Sequence, residues 1–528
     1  MDGICLTEVE NEIQEGKKAL TEEDLEEIAE IERGDTVSTE EESQEEESIQ
    51  DGFVGVTFGD VGTTTLQCNV CNPVDKGEYI ELHHPTADRV LGQIEKVERK
   101  TDLSVDKAIE LSNGERIDID ETIIATINII GYRDERGLLK LPGNPFRAGE
   151  KIYLAKEDLI RDVIGLKEDE NGAFIGKLRG HDIEVKLDIN SIAQKHLSVL
   201  AKTGSGKSYT TGVIIEEFMK HDVTNIILDP HGEYSSMAKA GKVDSSNEFG
   251  VEAKGYGDKL TEFTPMPEIN KGAKPLRFTF SNMEPTKILE MSELDKRKSN
   301  IKKLEGVISR LEVSKGNYSI DDMIRLFKQN EEDDVNTIIR GLKTLKGKNV
   351  FAKKGTRMDD IVQEGKTSII NLKGTPPDLQ NFVVNKLSTA LFELRKRNKI
   401  PPLMLFAEEA HNFCPQRGKT ESSEIFHTIA SEGRKFGLGL AIITQRPAKV
   451  DKNVLSQCNT QVILKVTNPN DLKAIESSIE GVTKQMKEEI QRLPIGEAIV
   501  TGGGLSEPLF VGIRPRETQD GGQSIRVV

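Results

Sequence analysis

A glycine-rich segment near the middle of the chain combines the residue types that bind phosphate. Residues 201–208 read Ala-Lys-Thr-Gly-Ser-Gly-Lys-Ser, which matches the Walker A pattern except that Ala201 replaces the first glycine. Glycines let backbone N–H groups converge on phosphate oxygens, and a helix that begins after the loop adds its positive dipole end. In this pattern Lys207 reaches the β- and γ-phosphates and the Ser208 hydroxyl ligates Mg²⁺. We therefore expect ATP and Mg²⁺ to bind here, through Thr203, Gly204, Ser205, Gly206, Lys207, Ser208 and Tyr209.

A second segment, well downstream, places two carboxylates at the end of an apolar run. Residues 403–407 are apolar and are followed directly by Glu408 and Glu409. Buried charges are costly unless they are paired or bind metal, so two acids at a strand end indicate chemistry rather than packing. We interpret the segment as a Walker B motif, in which Glu408 lies near the Mg²⁺ shell and Glu409 orients and polarises the attacking water. The alternative is an ordinary helix start, where the helix dipole favours acids.

Three further polar residues lie close to these segments. Gln445 follows the apolar run 441–444 and suits a γ-phosphate sensor, although a turn side chain would look the same. Arg434 is a candidate arginine finger, a group that stabilises transition-state charge, and the alternative is a surface arginine. His411 follows the two acids, and either a role in the site or a packing or capping role fits it.

Such distant segments need a scaffold that brings strand ends together. From His196 onward, short apolar runs alternate with helical segments, which is typical of an α/β fold with a largely parallel sheet. Residues 284–350 interrupt this alternation with charged sequence of helical period and are predicted to be a helical insert. Residues 52–188 instead show short alternating runs separated by Gly, Asn, Asp and Pro, which predict a small antiparallel β-barrel or sandwich.

The predicted organisation therefore has five parts. They are an acidic, disordered tail (1–51), a β-barrel domain (52–188), an ATPase core (189–283 and 351–505), a helical insert (284–350) and a C-terminal strand with an extended tail (506–528).

Composition excludes several classes of protein. Of the net charge of −18 over 528 residues, −16 comes from residues 1–50, which hold 19 acidic and 3 basic side chains. The rest of the chain is nearly neutral, so a local basic channel for DNA remains compatible with the acidic total. Aromatic residues make up 5% and Trp is absent, which disfavours base-stacking platforms. Five cysteines and the lack of a signal sequence or membrane span predict a reducing, cytoplasmic location.

Taken together, the motif blocks resemble the HerA family within the HerA/FtsK group of ATPases. The resemblance spans roughly residues 52–515 and depends more on the second and third blocks than on the Walker A loop. The blocks are Lys202–Ser208, Asp229–Tyr234, Glu408–Phe413, and Glu432–Gly437 leading to Thr444–Pro447.

The resemblance implies a fold and an activity. It implies a RecA-like P-loop ATPase core behind a β-barrel, assembled as a homo-hexamer around double-stranded DNA. It also implies a helicase or translocase that acts in DNA end resection with a NurA-type nuclease and a DNA-break repair complex. Arg434 would then act in trans on the neighbouring subunit's ATP. Asp229 and Glu233 would stand near the nucleotide. Lys195 lies at a position where members of this family often have a basic residue.

Other side chains have open interpretations. Arg417 and Lys419, in the polar loop after the two acids, are candidate DNA contacts because α/β proteins bind ligands at the carboxyl ends of their strands. Residues 296–298 of the insert are basic, and we interpret them as a solvated face. Cys68 and Cys71 have zinc-ligand spacing, but a closed site needs four ligands, and we interpret them as ordinary barrel cysteines.

Two rival functions remain at this level. An ATP-assembled hexameric scaffold could clamp and activate a nuclease or defence effector with little translocation of its own. A protein pump or conjugation pump belongs to the same broad group, although no membrane span is predicted. The acidic tail could screen DNA binding, dock a basic partner or aid solubility.

Overall fold

The structure, a computed structural model, describes residues 52–522 except for 115, 117, 167–171, 316, 330–334 and 479–483. The described residues form two compact units that divide between Ile160 and Arg161. The predicted acidic tail, residues 1–51, lies outside the described part of the chain. No helix among the described residues is both long and apolar enough to cross a membrane.

Six antiparallel strands close into a barrel in the first unit. Their order is β2-β1-β7-β3-β4-β5, and β5 pairs back with β2, while the short β6 extends from the end of β5. Alternate side chains point inward, as in β2, where Leu66, Cys68 and Val70 are buried. The predicted barrel is therefore confirmed. Its elements are β1 (Phe53–Phe58), β2 (Thr65–Val70), β3 (Tyr79–His84), β4 (Asp88–Thr101), α1 (Val105–Ser112), β5 (Glu121–Arg133), β6 (Leu139–Lys140) and β7 (Lys151–Leu154), followed by α2 (Glu157–Ile164) across the boundary between the units.

A twelve-stranded sheet forms the centre of the second unit. Its order is β13-β12-β16-β11-β17-β18-β10-β19-β20-β21-β8-β9. The strands run parallel from β13 to β19 and antiparallel from there to β9. Its strands are β8 (Gly172–Leu178), β9 (Glu184–Asp188), β10 (Leu197–Leu200), β11 (Thr224–Asp229), β12 (Leu260–Thr264), β13 (Lys274–Pro275), β16 (Thr367–Asn371), β17 (Leu403–Glu408), β18 (Leu438–Thr444), β19 (Thr460–Ile463), β20 (Glu497–Thr501) and β21 (Leu509–Ile513), and β14 (Phe278–Thr279) pairs separately with β15 (Phe351–Ala352).

The sequence prediction was wrong about the end of the barrel domain. It assigned residues 172–188 to the barrel, but β8 pairs with β21 and β9 pairs with β8, so both strands belong to the large sheet. The alternating pattern of these residues correctly indicates antiparallel strands. A pattern within one strand cannot show which sheet the strand joins, because the partner β21 lies far downstream in the sequence.

Helices cover the sheet and form the insert. The described residues between 285 and 347 form four helices whose apolar sides enter the same hydrophobic core as the sheet, which confirms a helical insert in the α/β fold. The helices of this unit are α3 (Ile189–Lys195), α4 (Lys207–Lys220), α5 (Pro285–Met291), α6 (Lys298–Lys315), α7 (Ile320–Gln329), α8 (Asn336–Gly347), α9 (Met358–Ile361), α10 (Pro377–Lys396), α11 (Ser423–Glu432), α12 (Lys452–Leu455), α13 (Pro469–Ser478) and α14 (Lys484–Arg492).

A buried ion-pair network ties helix α4 to the chain after β21. Arg514 is fully buried and donates to Glu216 at 3.0 Å and to Glu217 at 2.7 Å, both on α4. The backbone N–H groups of Glu517 and Thr518 also donate to Glu216. Because buried charges are stable only when paired, this network holds the C-terminal segment along the helix that starts at the phosphate-binding loop.

Candidate active site

The loop between β10 and α4 has the backbone that its glycines predicted. Gly204 has φ of 77° and Gly206 has φ of 96°, a left-handed conformation that favours glycine. The loop is fixed at its start, since Ala201 N–H donates to Thr444 O and Lys202 N–H donates to Lys465 O. Helix α4 begins at Lys207, so its first N–H groups and its positive dipole end face the loop. The segment is therefore a preformed anion cradle.

The strand order brings the other predicted groups to the same edge. Strand β18 lies between β10 and β17 and is parallel to both, so the carboxyl ends of all three strands meet. The cradle follows β10, Glu408 ends β17 and Gln445 follows β18. Residues far apart in sequence thus converge at one edge of the sheet.

Two buried carboxylates share one buried ammonium. Glu408 is fully buried and Glu409 is 4% exposed, and Lys207 between them is 6% exposed. Lys207 Nζ contacts Glu408 Oε1 and lies 3.2 Å from Glu409 Oε1. Such burial is stable only because opposite charges meet, so the three side chains depend on one another.

Gln445 links the phosphate-binding loop to the second carboxylate. Its Nε2 donates to Glu409 Oε1 at 2.8 Å, and its Oε1 accepts a hydrogen bond from the Thr203 hydroxyl. Glu409 itself has φ of 50°, a left-handed conformation that costs about 1–3 kcal/mol for a residue other than glycine. Local strain of this size persists where the surroundings fix a side chain, and here they fix the Glu409 carboxylate against Gln445.

His411 also contacts the second carboxylate. Its Nδ1 lies 3.3 Å from Glu409 Oε2 and 3.1 Å from Thr444 Oγ1. Burial lowers the pKa of His411, which outweighs the attraction of Glu409 and keeps the ring neutral near pH 7. The histidine therefore supports Glu409 as a neutral neighbour.

The segment after β11 forms a tight turn around Asp229. This fully buried carboxylate accepts backbone hydrogen bonds from His231, Gly232 and Tyr234, at 3.2, 2.8 and 3.1 Å. Both carboxylate oxygens are used in this way, so Asp229 shapes the turn. The turn carries Glu233, whose Oε2 is buried and accepts no hydrogen bond within the described residues.

Sequence reasoning missed Tyr234, the last residue of this turn. Its side chain is fully buried, and its hydroxyl donates to Glu408 Oε2 at 2.8 Å. Its place in the Asp229–Tyr234 block was the only available signal. The hydroxyl of Tyr209, a residue also expected at the nucleotide, accepts a hydrogen bond from the backbone N–H of Arg516 at 2.7 Å.

Arg434 lies at the opposite end of the parallel strands, near their amino ends. It belongs to the 3₁₀ turn Gly433–Phe436, which precedes β18, and it lines a polar cavity of about 1070 Å³ with Lys195 and His196. Within one chain, therefore, Arg434 does not meet Glu409. Arg417 and Lys419 lie on the exposed loop after β17, where Lys419 is 3.9 Å from Glu424.

The donor set fits a magnesium ion that arrives with a nucleotide. Among the described residues no group of three or more His, Cys, Asp and Glu side chains could hold a metal by itself. Mg²⁺ usually takes one or two protein ligands and completes its shell with phosphates and waters. Ser208, at the start of α4, and Glu408, a fully buried carboxylate whose Oε1 contacts Lys207, are suitable ligands.

Two sequence models of one helicase family match the chain. The model described as "Helicase HerA, central domain" matches residues 173–391, and "Helicase HerA-like C-terminal" matches residues 378–507. A probable helicase of Methanocaldococcus jannaschii is 27% identical over 511 residues, which cover 90% of this chain and 93% of that protein. The DNA double-strand break repair helicase HerA of Pyrococcus furiosus is 28% identical over 517 residues, covering 87% of this chain and 92% of that protein.

Solved structures show a more distant likeness. VirB4 of Thermoanaerobacter pseudethanolicus superposes with a TM-score of 0.46 at 14% identity, over 66% of this chain and 97% of that one. The plasmid coupling protein TrwB, in complex with a non-hydrolysable GTP analogue, gives a TM-score of 0.44 at 14% identity, over 70% of this chain and 95% of that one.

The cavity histidine predicts a pH dependence of stability. His196 accepts a hydrogen bond from Leu440 N–H at 3.0 Å and lies 3.1 Å from Ala430 O, and burial lowers its pKa from 6.5 to about 4. The unfolded chain therefore binds a proton between these values that the folded chain does not. Relative to His196→Gln, the wild-type chain should lose about 3 kcal/mol of unfolding free energy as the pH falls from 6.5 to 4. Denaturant titrations across this range measure the difference, and parallel curves for the two proteins would contradict it.

Proposed function

The chain belongs to the HerA helicase family of ATP-hydrolysing enzymes, and from this membership we propose that it is a ring-forming translocase on double-stranded DNA. The observation that carries the proposal is the cluster of Lys207, Glu408, Glu409 and Gln445 beside the phosphate-binding loop. The cluster combines a phosphate-binding ammonium, a metal-side carboxylate, a water-orienting carboxylate and a linking amide, which are the parts that phosphoryl transfer to water requires.

Each residue has a step in the proposed hydrolysis. The loop N–H groups and Lys207 bind the β- and γ-phosphate oxygens of ATP and offset their charge. Glu409 accepts a hydrogen bond from a water molecule and aims the water oxygen at the γ-phosphorus. The new P–O bond forms as the bond to the ADP oxygen breaks, and the water proton leaves through Glu409. Mg²⁺ bound with ATP supplies charge neutralisation, and Ser208 and Glu408 are the residues that would hold it.

The positions of the cluster and of Arg434, at opposite ends of the parallel strands, support an assembly of several copies. The cluster lies at the carboxyl ends of the parallel strands, whereas Arg434 lies before β18 at their amino ends. A neighbouring copy could present its Arg434 to this chain's ATP, as an arginine finger in trans. We propose a homo-hexamer on this basis together with the family membership.

A basic surface beside the nucleotide site supports contact with DNA. The loop after β17 and the segment after β18 lie side by side, since Pro415 forms a β-bridge with Val450. Exposed basic side chains on these two segments are Arg417, Lys419, Arg446, Lys449 and Lys452. Contacts of lysine and arginine with phosphates do not depend on base sequence, which suits movement along duplex DNA. We propose a role in double-strand-break repair, in keeping with the name of the Pyrococcus furiosus relative. From the resemblance of the motif blocks to the HerA family, we further propose that this role is DNA end resection with a NurA-type nuclease.

Two substitutions test the hydrolytic roles. Lys207→Ala should abolish ATP hydrolysis by removing the phosphate-binding ammonium. Glu409→Gln should also abolish hydrolysis but keep ATP binding, because the amide retains the shape but does not accept the water proton. Phosphate release and binding of a fluorescent ATP analogue measure the two properties. Glu424→Gln, an exposed acid on α11, is the control, and normal turnover by Glu409→Gln would contradict the assignment.

A comparison with and without linear duplex DNA tests the translocase proposal. We expect duplex DNA to stimulate the wild-type ATPase, and we expect Arg417→Ala combined with Lys419→Ala to weaken DNA affinity and reduce its salt dependence. Lys296→Ala combined with Lys298→Ala, at the exposed start of helix α6 in the insert, is the matched control and should behave as wild type. If duplex DNA leaves the rate of ATP hydrolysis unchanged, this result contradicts translocation and favours the scaffold alternative.

A further inference from the structure

Tyr234 lies behind the active-site cluster and contacts its Glu408. The proposed hydrolysis gives this contact no role. Its hydroxyl donates to Glu408 Oε2 at 2.8 Å, while the other oxygen of the same carboxylate contacts Lys207. The last torsion of a glutamate side chain is soft, so a carboxylate held at one oxygen only can turn about that contact. Held at both oxygens, Glu408 has a defined orientation toward Lys207.

The backbone places Tyr234 at this position through Asp229. Strands β11 and β17 pair with Leu228 opposite Ala407, so Asp229 and Glu408 end neighbouring strands at the same level. Asp229 then accepts the N–H groups of residues 231, 232 and 234, which folds the turn back over the strand ends. This turn carries the Tyr234 ring into the interior beside Glu408.

The Tyr234 hydroxyl is a donor throughout the working pH range. A tyrosine hydroxyl carries its proton near neutral pH, and that of Tyr234 lies at hydrogen-bond distance from Glu408 Oε2. The hydroxyl therefore keeps its proton, and its hydrogen bond to the ionised carboxylate belongs to the stronger, charge-assisted class.

We infer that Tyr234 is a positioning residue for ATP hydrolysis, one that fixes the Glu408 carboxylate in the orientation that serves the phosphate and metal side of the site. The inference rests on the proposed hydrolytic role of Glu408. Partners of this kind, which orient a metal ligand without touching the metal, typically change affinity or activity by about 10- to 100-fold when they are removed.

The chain contains a matched control for Tyr234. Tyr256 is also buried, and its hydroxyl donates to a carboxylate, Glu517 Oε2, at 2.6 Å. That carboxylate belongs to the network around Arg514 and not to the Lys207 cluster. Tyr234→Phe and Tyr256→Phe therefore delete the same kind of hydrogen bond in the same unit, and only the first deletion frees Glu408.

Steady-state kinetics separate a positioning role from a structural one. Tyr234→Phe should lower kcat at least about tenfold and leave the KM for ATP within about twofold, because the phosphate-binding loop and Lys207 remain. Tyr256→Phe should leave both values within about twofold at a similar loss of thermal stability. Equal kcat for Tyr234→Phe and wild type, or equal losses in the two variants, would overturn the inference. An inactive wild-type protein would instead refute the proposed function.

A label at position 234 tests the contact without relying on activity or on the folding of Tyr234→Phe. 3-Fluorotyrosine incorporated at this position keeps the ring and the hydroxyl and reports its surroundings by ¹⁹F resonance. The resonance should move when Glu408→Gln removes the carboxylate charge. It should stay unchanged with Glu517→Gln, the partner of Tyr256. No movement with Glu408→Gln, or equal movement with both substitutions, would overturn the inference.

Discussion

The pairing of one buried ammonium with two buried carboxylates is the interaction on which the rest of the site depends. Lys207 stands between Glu408 and Glu409 with almost no exposure to water, and each of these charges would be unstable alone. The cluster exists only because a parallel sheet brings the carboxyl ends of β10, β17 and β18 together. The left-handed glycines place Lys207 at the start of α4, and Gln445 and His411 hold Glu409 in its strained backbone conformation.

The same sheet separates the proposed arginine finger from the carboxylates. Arg434 precedes β18 and Gln445 follows it, so the length of one strand lies between the two residues. A polar cavity near Arg434 also contains Lys195, Lys435 and a neutral His196, together with one acid, Glu507. One chain thus carries a carboxylate half-site at one edge and a basic half-site at the other, which is the division that a ring of identical subunits would use.

Much of this architecture could be predicted because its signals are local. The Walker A glycines and Lys207 lie within one short segment, and the two acids directly follow the apolar strand that positions them. The barrel strands alternate in burial as their sequence alternates in polarity. The errors concern long-range relations. Because β8 pairs with β21, residues 172–188 belong to the large sheet and not to the barrel. The hydrogen bond of Tyr234 to Glu408 joins residues that are 174 positions apart in sequence. The three backbone hydrogen bonds to Asp229 were not predicted either, because they depend on a turn geometry that residue types alone do not define.

Complementation between two inactive variants tests most directly whether the two half-sites meet across copies. Arg434→Ala removes the basic half and Lys207→Ala removes the phosphate-binding half, so each protein alone should hydrolyse little ATP. In mixed assemblies, some interfaces combine an intact Arg434 with an intact Lys207, and the account predicts that ATPase activity returns at intermediate mixing ratios and peaks near equal amounts. Mass measurement establishes that mixed assemblies form. If they form and activity stays at the level of the separate variants at every ratio, the account of a site shared between subunits is contradicted.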